Sequence, residues 1–196
     1  MSGGGRGRRL VLVTGMPGSG KSVLSSLARE MGLPVYVMGD VIREEAARRG
    51  IPATPDNLNK LARQLRKEHG EDIVARRILE KLERDDPGFA VVDGVRSLRE
   101  VEVLGRYGET VVVAVHASPR TRFERLRRRG RPGDPSSWEE FRRRDLTELG
   151  FSLGWVIALA DYMLVNEGDV YRFRERARRL LLSLAAGEKP DPDSLC

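Results

Sequence analysis

Eight consecutive residues, Gly15, Met16, Pro17, Gly18, Ser19, Gly20, Lys21 and Ser22, satisfy G-x-x-x-x-G-K-[ST] at every fixed position. Residues of these types at this spacing hold phosphate. Glycines let backbone N–H groups approach phosphate oxygens without interference from a Cβ atom. A helix starting at the end of the loop adds its positive pole and its unpaired amides. Lys21 is placed to bridge the outer phosphates of a nucleoside triphosphate, and the Ser22 hydroxyl to take a Mg²⁺ ligand position. The flanks have the strand–loop–helix context such a loop requires. Leu10 to Val13 is an apolar run of buried-strand length, and Val23, Leu24, Leu27 and Ala28 share one face of a helical pattern. The expected ligands are ATP and Mg²⁺.

Other residues able to do chemistry fall after apolar runs. Asp93 closes Phe89-Ala-Val-Val, as a Walker B acid closes its strand, where it would hold Mg²⁺ directly or through water; a turn aspartate is the alternative. Arg96 follows three residues on. Asp40 and Arg43 lie just beyond a second short strand; Arg43 is a candidate grip on the phosphate of a second substrate, and Asp40 has the position of a helix N-cap as well as that of a substrate ligand. Arg122, Arg125 and Arg129 are spaced i, i+3, i+7 and share a helix face beside a Gly/Pro-rich loop, the makings of a lid that brings positive charge to a phosphoryl group. A plain amphipathic surface helix is the other reading. Of Arg142, Arg143 and Arg144, helical spacing lets one or two face inward without deciding which, and Arg144 is carried as a candidate for transition-state charge. Asn166, after the last strand, is a candidate base contact. His69 and His116 are far apart without partner cysteines and read as bystanders, and Trp138 and Trp155 as packing residues.

Strands are expected at 10–13, 35–38, 89–93, 110–116 and 162–166, with helices between them. This is α/β: a three-layer α/β/α P-loop fold with a five-stranded parallel sheet and a small helical insertion. Ligands on such a sheet bind at the C-terminal ends of the strands, where all these polar residues lie. Thr54-Pro55 and Ser118-Pro119 place an N-cap before a proline at the first helical position, and Ser97-Leu-Arg-Glu100 matches a capping box. Residues 1–9 read as a flexible basic leader, 10–186 as the P-loop domain, 40–86 as acceptor-binding helices, 120–145 as the lid region and 187–196 as a disordered tail.

The chain of 196 residues suits one such domain. Five of its 35 basic residues are Lys, leaving 30 Arg, and the formal net charge is +6. Arginine binds phosphate bidentately, so phosphorylated ligands fit this surplus, although 29 acidic residues match most of it as surface ion pairs. A nucleic-acid surface would use the same charge, but interleaved aromatics and a recognisable RNA motif are absent. Few Asn and Gln beside abundant charge is the composition of heat-adapted proteins. A single cysteine, Cys196, and no segment of membrane-spanning length point to a cytoplasmic protein without a membrane partner.

Gly39-Asp-Val-Ile-Arg43 resembles the Gly-Asp-x-x-Arg segment of adenylate kinases. Asp93-Gly-Val-Arg96 resembles their Asp-Gly-Phe-Pro-Arg, one residue shorter. Glu124-Arg-Leu-Arg-Arg-Arg129 resembles their lid helix, which implies Arg125 on adenine and Arg129 on phosphate; zinc cysteines of the full lid are missing. Ala160 to Asn166 with Gly168 is similar to the end of dephospho-CoA kinases. From Val11 to Glu167 the chain most resembles an archaeal family of P-loop proteins, nucleotide-kinase-like or dephospho-CoA-kinase-like. The resemblance implies a phosphotransferase of the nucleoside monophosphate kinase type. Lys21, Arg96, Arg129 and Arg144 would meet transition-state charge, Ser22 and Asp93 the metal, and Asp40, Arg43 and Arg96 the acceptor. Dephospho-CoA kinase is the nearest alternative, and a nucleotide-dependent regulatory or RNA-associated protein without kinase activity is another.

Overall fold

The apolar runs become five strands of one sheet. The computed structural model describes residues 7–150 and 152–190. Strands β1 (Arg9–Thr14), β2 (Val35–Val37), β3 (Phe89–Asp93), β4 (Glu109–His116) and β5 (Tyr162–Val165) lie in the order β2-β3-β1-β4-β5. Every pairing is parallel, and the register sets Val13 of β1 beside Asp93 on one side and Val113 on the other. A strand buried on both faces must be apolar throughout, which is why β1 and β4 read as continuous Val and Leu runs rather than alternating ones.

Successive β1 residues feed opposite layers. Leu10 and Leu12 join the core that packs beneath α2 (Met38–Arg48), α3 (Pro55–His69), α4 (Ile73–Asp85), α5 (Leu98–Leu104) and α8 (Leu153–Ala158). Val11 and Val13 join the core that packs against α1 (Lys21–Glu30) and α9 (Val170–Ala186). Of the remaining helices, α6 (Pro119–Arg129) sits against the P-loop, where a Cβ on Gly18 would come within 2.9 Å of the Arg122 carbonyl oxygen, and α7 (Trp138–Gly150) is joined to α6 through Arg122 and Asp145. The expected three-layer α/β/α fold with five parallel strands is the observed one.

The capping signals expected from the sequence account for the starts of α3, α5 and α6. Thr54 accepts a hydrogen bond from Asn57 N–H at 3.3 Å, Ser97 from Glu100 N–H at 3.2 Å and Ser118 from Thr121 N–H at 3.4 Å. Residues 40–86 carry most of α2 and all of α3 and α4, with no strand among them. Within this segment Glu45, its side chain only 3% exposed, joins α2 to α4 by accepting from Arg77 at 2.9 Å. Hydrogen bonds from Arg48, Arg49 and Arg77 hold its carboxyl at about 2, against the cost of burial.

Two boundaries differ from expectation. Helix α2 starts directly from β2 at Met38, so Val37 takes the N-cap position and Asp40 is one turn in, not the cap. There its carboxylate still meets the positive end of the helix, and it pairs with Arg43. Arg9 opens β1 rather than ending a leader, with its guanidinium on Glu109 at 2.6 Å, and Arg8 pairs with Asp86 at 2.7 Å. The rest of the expected leader, residues 1–6, and the tail from 191 onward lie outside the described residues. Among the described residues, no helix is long and apolar enough to cross a membrane.

Candidate active site

The loop between β1 and α1 is shaped by positions that only glycine fills without strain. Gly15 has φ +142°, and a Cβ there would run into the Val115 carbonyl oxygen; Gly20 has φ +106°, and its Cβ would run into the Asn166 side-chain amide. Thr14, at the end of β1, donates its hydroxyl to the Val95 carbonyl at 2.8 Å. Gly94 N–H donates to the Val13 carbonyl at 3.0 Å, so the loop after β3 is stitched to the root of the P-loop. The parallel register and these bonds set Asp93 close to Lys21.

The Lys21 ammonium donates to the carbonyls of Gly15 and Met16, the second at 3.2 Å. Removal from water pushes its pKa down to about 8; Asp93 opposes the shift and Arg96 adds to it. Ser22, on the first turn of α1, is exposed. Asp93 accepts from the Ser25 hydroxyl at 2.6 Å, and Ser25 also lies 3.1 Å from the Lys21 carbonyl. Arg96 is aimed by its own backbone: its N–H donates at 2.7 Å to Glu100, a carboxylate buried under α5, whose pKa burial pushes up.

Residues from α6, α7 and the end of β5 close the site. Asn166 is buried; its amide donates to the Ser19 carbonyl at 2.8 Å, and its oxygen accepts from Arg125 at 3.4 Å. It therefore supports the P-loop from below. Arg129 and Arg144 converge on one carboxylate, Asp134, which is 4% exposed and lies 2.5 and 3.3 Å from them. The Arg129 hydrogen bond above all, then the Arg131 backbone N–H and last Arg144, holds that carboxyl below the usual range against the cost of burial. Glu148, one turn beyond Arg144, stands 3.6 Å from Arg96.

Together these groups border a cavity of about 440 Å³ lined by the P-loop, Lys21, Ser22, Val23, Asp93, Arg96, Arg125, Arg129, Arg144, Glu148 and Asn166. Of the sequence candidates, Gly15, Pro17, Gly18 and Gly20 also border it, whereas Met16 and Ser19 do not; Ser19 is fully buried. Asp40 and Arg43 are not brought to the cavity. They bond to each other at 2.9 Å, each about half exposed. Arg122, expected on the lid face with Arg125 and Arg129, is instead buried: it donates to both oxygens of Asp145 and to the Ala117 carbonyl, and lies over the Phe141 ring. Arg142 and Arg143 are exposed, so Arg144 is the inward one of that triplet. Glu167 caps α6, accepting from Thr121 at 2.7 Å. Trp138 packs with Phe123 and Phe141, but Trp155 is 66% exposed rather than packed.

Ser25, Asp134, Asp145 and Glu148 were not singled out from the sequence. Glu148 had a signal, since it lies four residues after Arg144 and thus on the same helix face. Ser25 had one too, three residues after Ser22.

The residues present suit a triphosphate with its metal. The loop offers a cradle that side chains would fill, and two buried polar atoms around it, Ser19 Oγ and Arg125 Nη1, have no hydrogen-bond partner among the described residues. Fold and site together define a nucleotide-binding, P-loop kinase-like protein. The chain belongs to the UPF0200 family: a UPF0200 protein of Hyperthermus butylicus is 68% identical over 180 residues, 92% of this chain and 97% of the relative. Residues 14–142 also match the family described as AAA domain. Among solved structures, a shikimate kinase from Bacteroides thetaiotaomicron is similar at TM-score 0.61 and 18% identity, covering 91% of this chain and 99% of that one. A dephospho-CoA kinase from Campylobacter jejuni is similar at TM-score 0.58 and 15% identity, covering 91% and 98%. The sequence resemblance to an archaeal, kinase-like P-loop family is thus borne out, and the two structural likenesses show the shared fold.

Proposed function

We propose that the protein is an ATP-dependent phosphotransferase whose acceptor is a small phosphorylated nucleotide. The observation that carries this reading is the convergence of Lys21, Arg96, Arg125, Arg129 and Arg144 on one cavity that also holds Asp93 and the P-loop. So much positive charge around so small a volume fits a group that is itself highly anionic and becomes no less so during transfer. Lys21 and the P-loop amides would hold the donor phosphates, Ser22 and Asp93 the Mg²⁺, and Arg125 with Asn166 the base side. Bound MgATP supplies the phosphoryl group and the metal's charge. The chain's own contribution is positioning and charge: Ser25 fixes one Asp93 oxygen, and Arg96, Arg129 and Arg144 lie where developing charge needs neutralising. Arg43, tied to Asp40 away from the cavity, is a weak candidate for the acceptor phosphate, so Arg96 and Arg144 are favoured for it.

The acceptor has two finer forms, a nucleoside monophosphate with a phosphate oxygen as nucleophile, or a dephospho-CoA-like molecule with a hydroxyl. A coupled ADP-release assay with MgATP and AMP, GMP, CMP, UMP, dNMPs and dephospho-CoA, each alone, tests the reading. Turnover with one acceptor, lost in Lys21→Ala, is expected. Slow hydrolysis indifferent to all of them would turn the reading toward a nucleotide switch.

Asp134 serves here as a positioning residue. Asp134→Asn frees both arginines from their shared anchor and should lower kcat by about 10–100-fold, the scale of misplaced catalytic groups. Donor affinity, read by titration of a fluorescent ATP analogue, should change much less. Equal loss of affinity and turnover would mean that Asp134 merely holds the fold.

A further inference from the structure

Among the acids that face the cavity and its lid, Glu148 is the one whose hydrogen-bonding capacity is unspent. Asp134 accepts from Arg129, Arg131 and Arg144, Asp145 is bound through both oxygens by Arg122, and Asp93 accepts from Ser25. Glu148 accepts no hydrogen bond among the described residues. Its only ion pair among the described residues is the 3.6 Å approach to Arg96, a side chain itself 46% exposed. Yet the Glu148 side chain is only 15% exposed, borders the cavity, and is close enough to act on the charge of Lys21. A carboxylate kept there, on the same face of α7 as Arg144, has to suit whatever enters between Arg96 and Lys21.

The two acceptor chemistries respond to it in opposite ways. A phosphate nucleophile would meet a like charge at close range and be repelled by it. A hydroxyl nucleophile would find an acceptor for its hydrogen bond and a base for its proton. We propose that Glu148 is the catalytic residue that receives the acceptor, and that the nucleophile is a hydroxyl group rather than a phosphate oxygen. This rests on the phosphotransferase reading and narrows its substrate class. In the step, the acceptor O–H gives its proton to a Glu148 carboxylate oxygen while the hydroxyl oxygen bonds to the γ-phosphorus of ATP. The bond from that phosphorus to the β–γ bridging oxygen breaks, and ADP leaves with the electron pair. Glu148 then passes the proton to water. Arg96 lies beside the same carboxylate, where it can hold an anionic group elsewhere on the acceptor.

The test compares wild type, Glu148→Gln and Glu148→Asp against dephospho-CoA, a phosphorylated nucleotide with a hydroxyl nucleophile, and against AMP, GMP, CMP and UMP as phosphate nucleophiles. Wild type is expected to turn over a hydroxyl acceptor. Glu148→Gln should lower kcat on it by about 10²–10⁴-fold, with the Kd of a fluorescent ATP analogue and the thermal midpoint essentially unchanged. Glu148→Asp should restore part of the loss. A structural role would instead move ATP affinity and the thermal midpoint, and would not be rescued by aspartate; that result overturns the assignment. Transfer to nucleoside monophosphates alone, undiminished in Glu148→Gln, overturns the assignment and leaves the phosphotransferase reading standing. ATP binding without transfer to any acceptor overturns both.

Discussion

Lys21→Met abolishes acceptor-dependent ADP release, by at least about 10³-fold, and at the same time makes the unliganded protein more stable. The first effect follows, on the proposed reading, from removing a cation that would hold the donor phosphates, in a class of site where lost donors and charges cost about 10²–10⁵-fold. The second follows from the state of that cation in the protein without nucleotide. With a folded pKa of about 8 against the ordinary lysine value of 10.5, the ammonium is charged at a cost. Between those two values the unfolded chain binds the proton and the folded chain releases it, so stability rises with pH across that window. Below pH 8 the cost is present in full, up to about 3 kcal/mol at 1.36 kcal/mol per unit; above pH 10.5 it is gone. The two carbonyl contacts of Lys21 offset part of it. Urea unfolding of both proteins from pH 7 to 10.5 should therefore show Lys21→Met ahead by about 1–3 kcal/mol at pH 7, with the gap closing as pH rises. A gap that stays constant with pH would mean that Lys21 titrates as an ordinary lysine. Triphosphate binding should reverse the shift, because anions favour the charged form. Calorimetric titration near pH 8 in buffers of different ionisation enthalpy should accordingly find proton uptake.

Asp145→Asn is the substitution with the largest expected cost to the fold, about 3–5 kcal/mol, because it leaves the buried Arg122 guanidinium without its counter-ion. Arg122 has 5% of its side chain exposed and sits 2.6 Å from Asp145. It also reaches the Pro17 carbonyl at 3.3 Å and the Phe141 ring. One side chain thus fastens α6, α7 and the P-loop. Thermal or urea unfolding measures the loss, and the double variant Arg122→Met, Asp145→Leu should be markedly more stable than the sum of the two single losses implies. Because α6 carries Arg125 and Arg129 and α7 carries Arg144 and Glu148, activity should fall in Asp145→Asn even where the protein remains folded. Loss of less than about 1 kcal/mol would show that water reaches the pair and screens it.

The amino-acid sequence by itself determined the parts whose causes are local. Apolar runs of strand length, glycines at the positions that need positive φ, a lysine and serine at the head of a helix, and Ser/Thr residues before Pro or three before Glu each act within a few neighbouring residues. They specified β1, the P-loop, α1, the terminal acid of β3 and the starts of α3, α5 and α6. The lid arginines were different. Helical spacing puts Arg122, Arg125 and Arg129 on one face, yet Arg122 became a structural ion pair, Arg125 met Asn166, and Arg129 met Asp134. The deciding partner of Arg122 lies 23 residues away and that of Arg125 41 residues away. Helical periodicity describes which side a residue takes, and it carries no information about what stands opposite. Tertiary packing brought Asp145 of α7 to Arg122 and put Glu148 beside Arg96, and it set Asn166, after β5, against Arg125, whereas Arg129 met Asp134 in the loop after its own helix and Arg43 stayed with the neighbouring Asp40 instead of the cavity. A buried charge must be matched by another charge, and where that match comes from is decided by the folded chain as a whole.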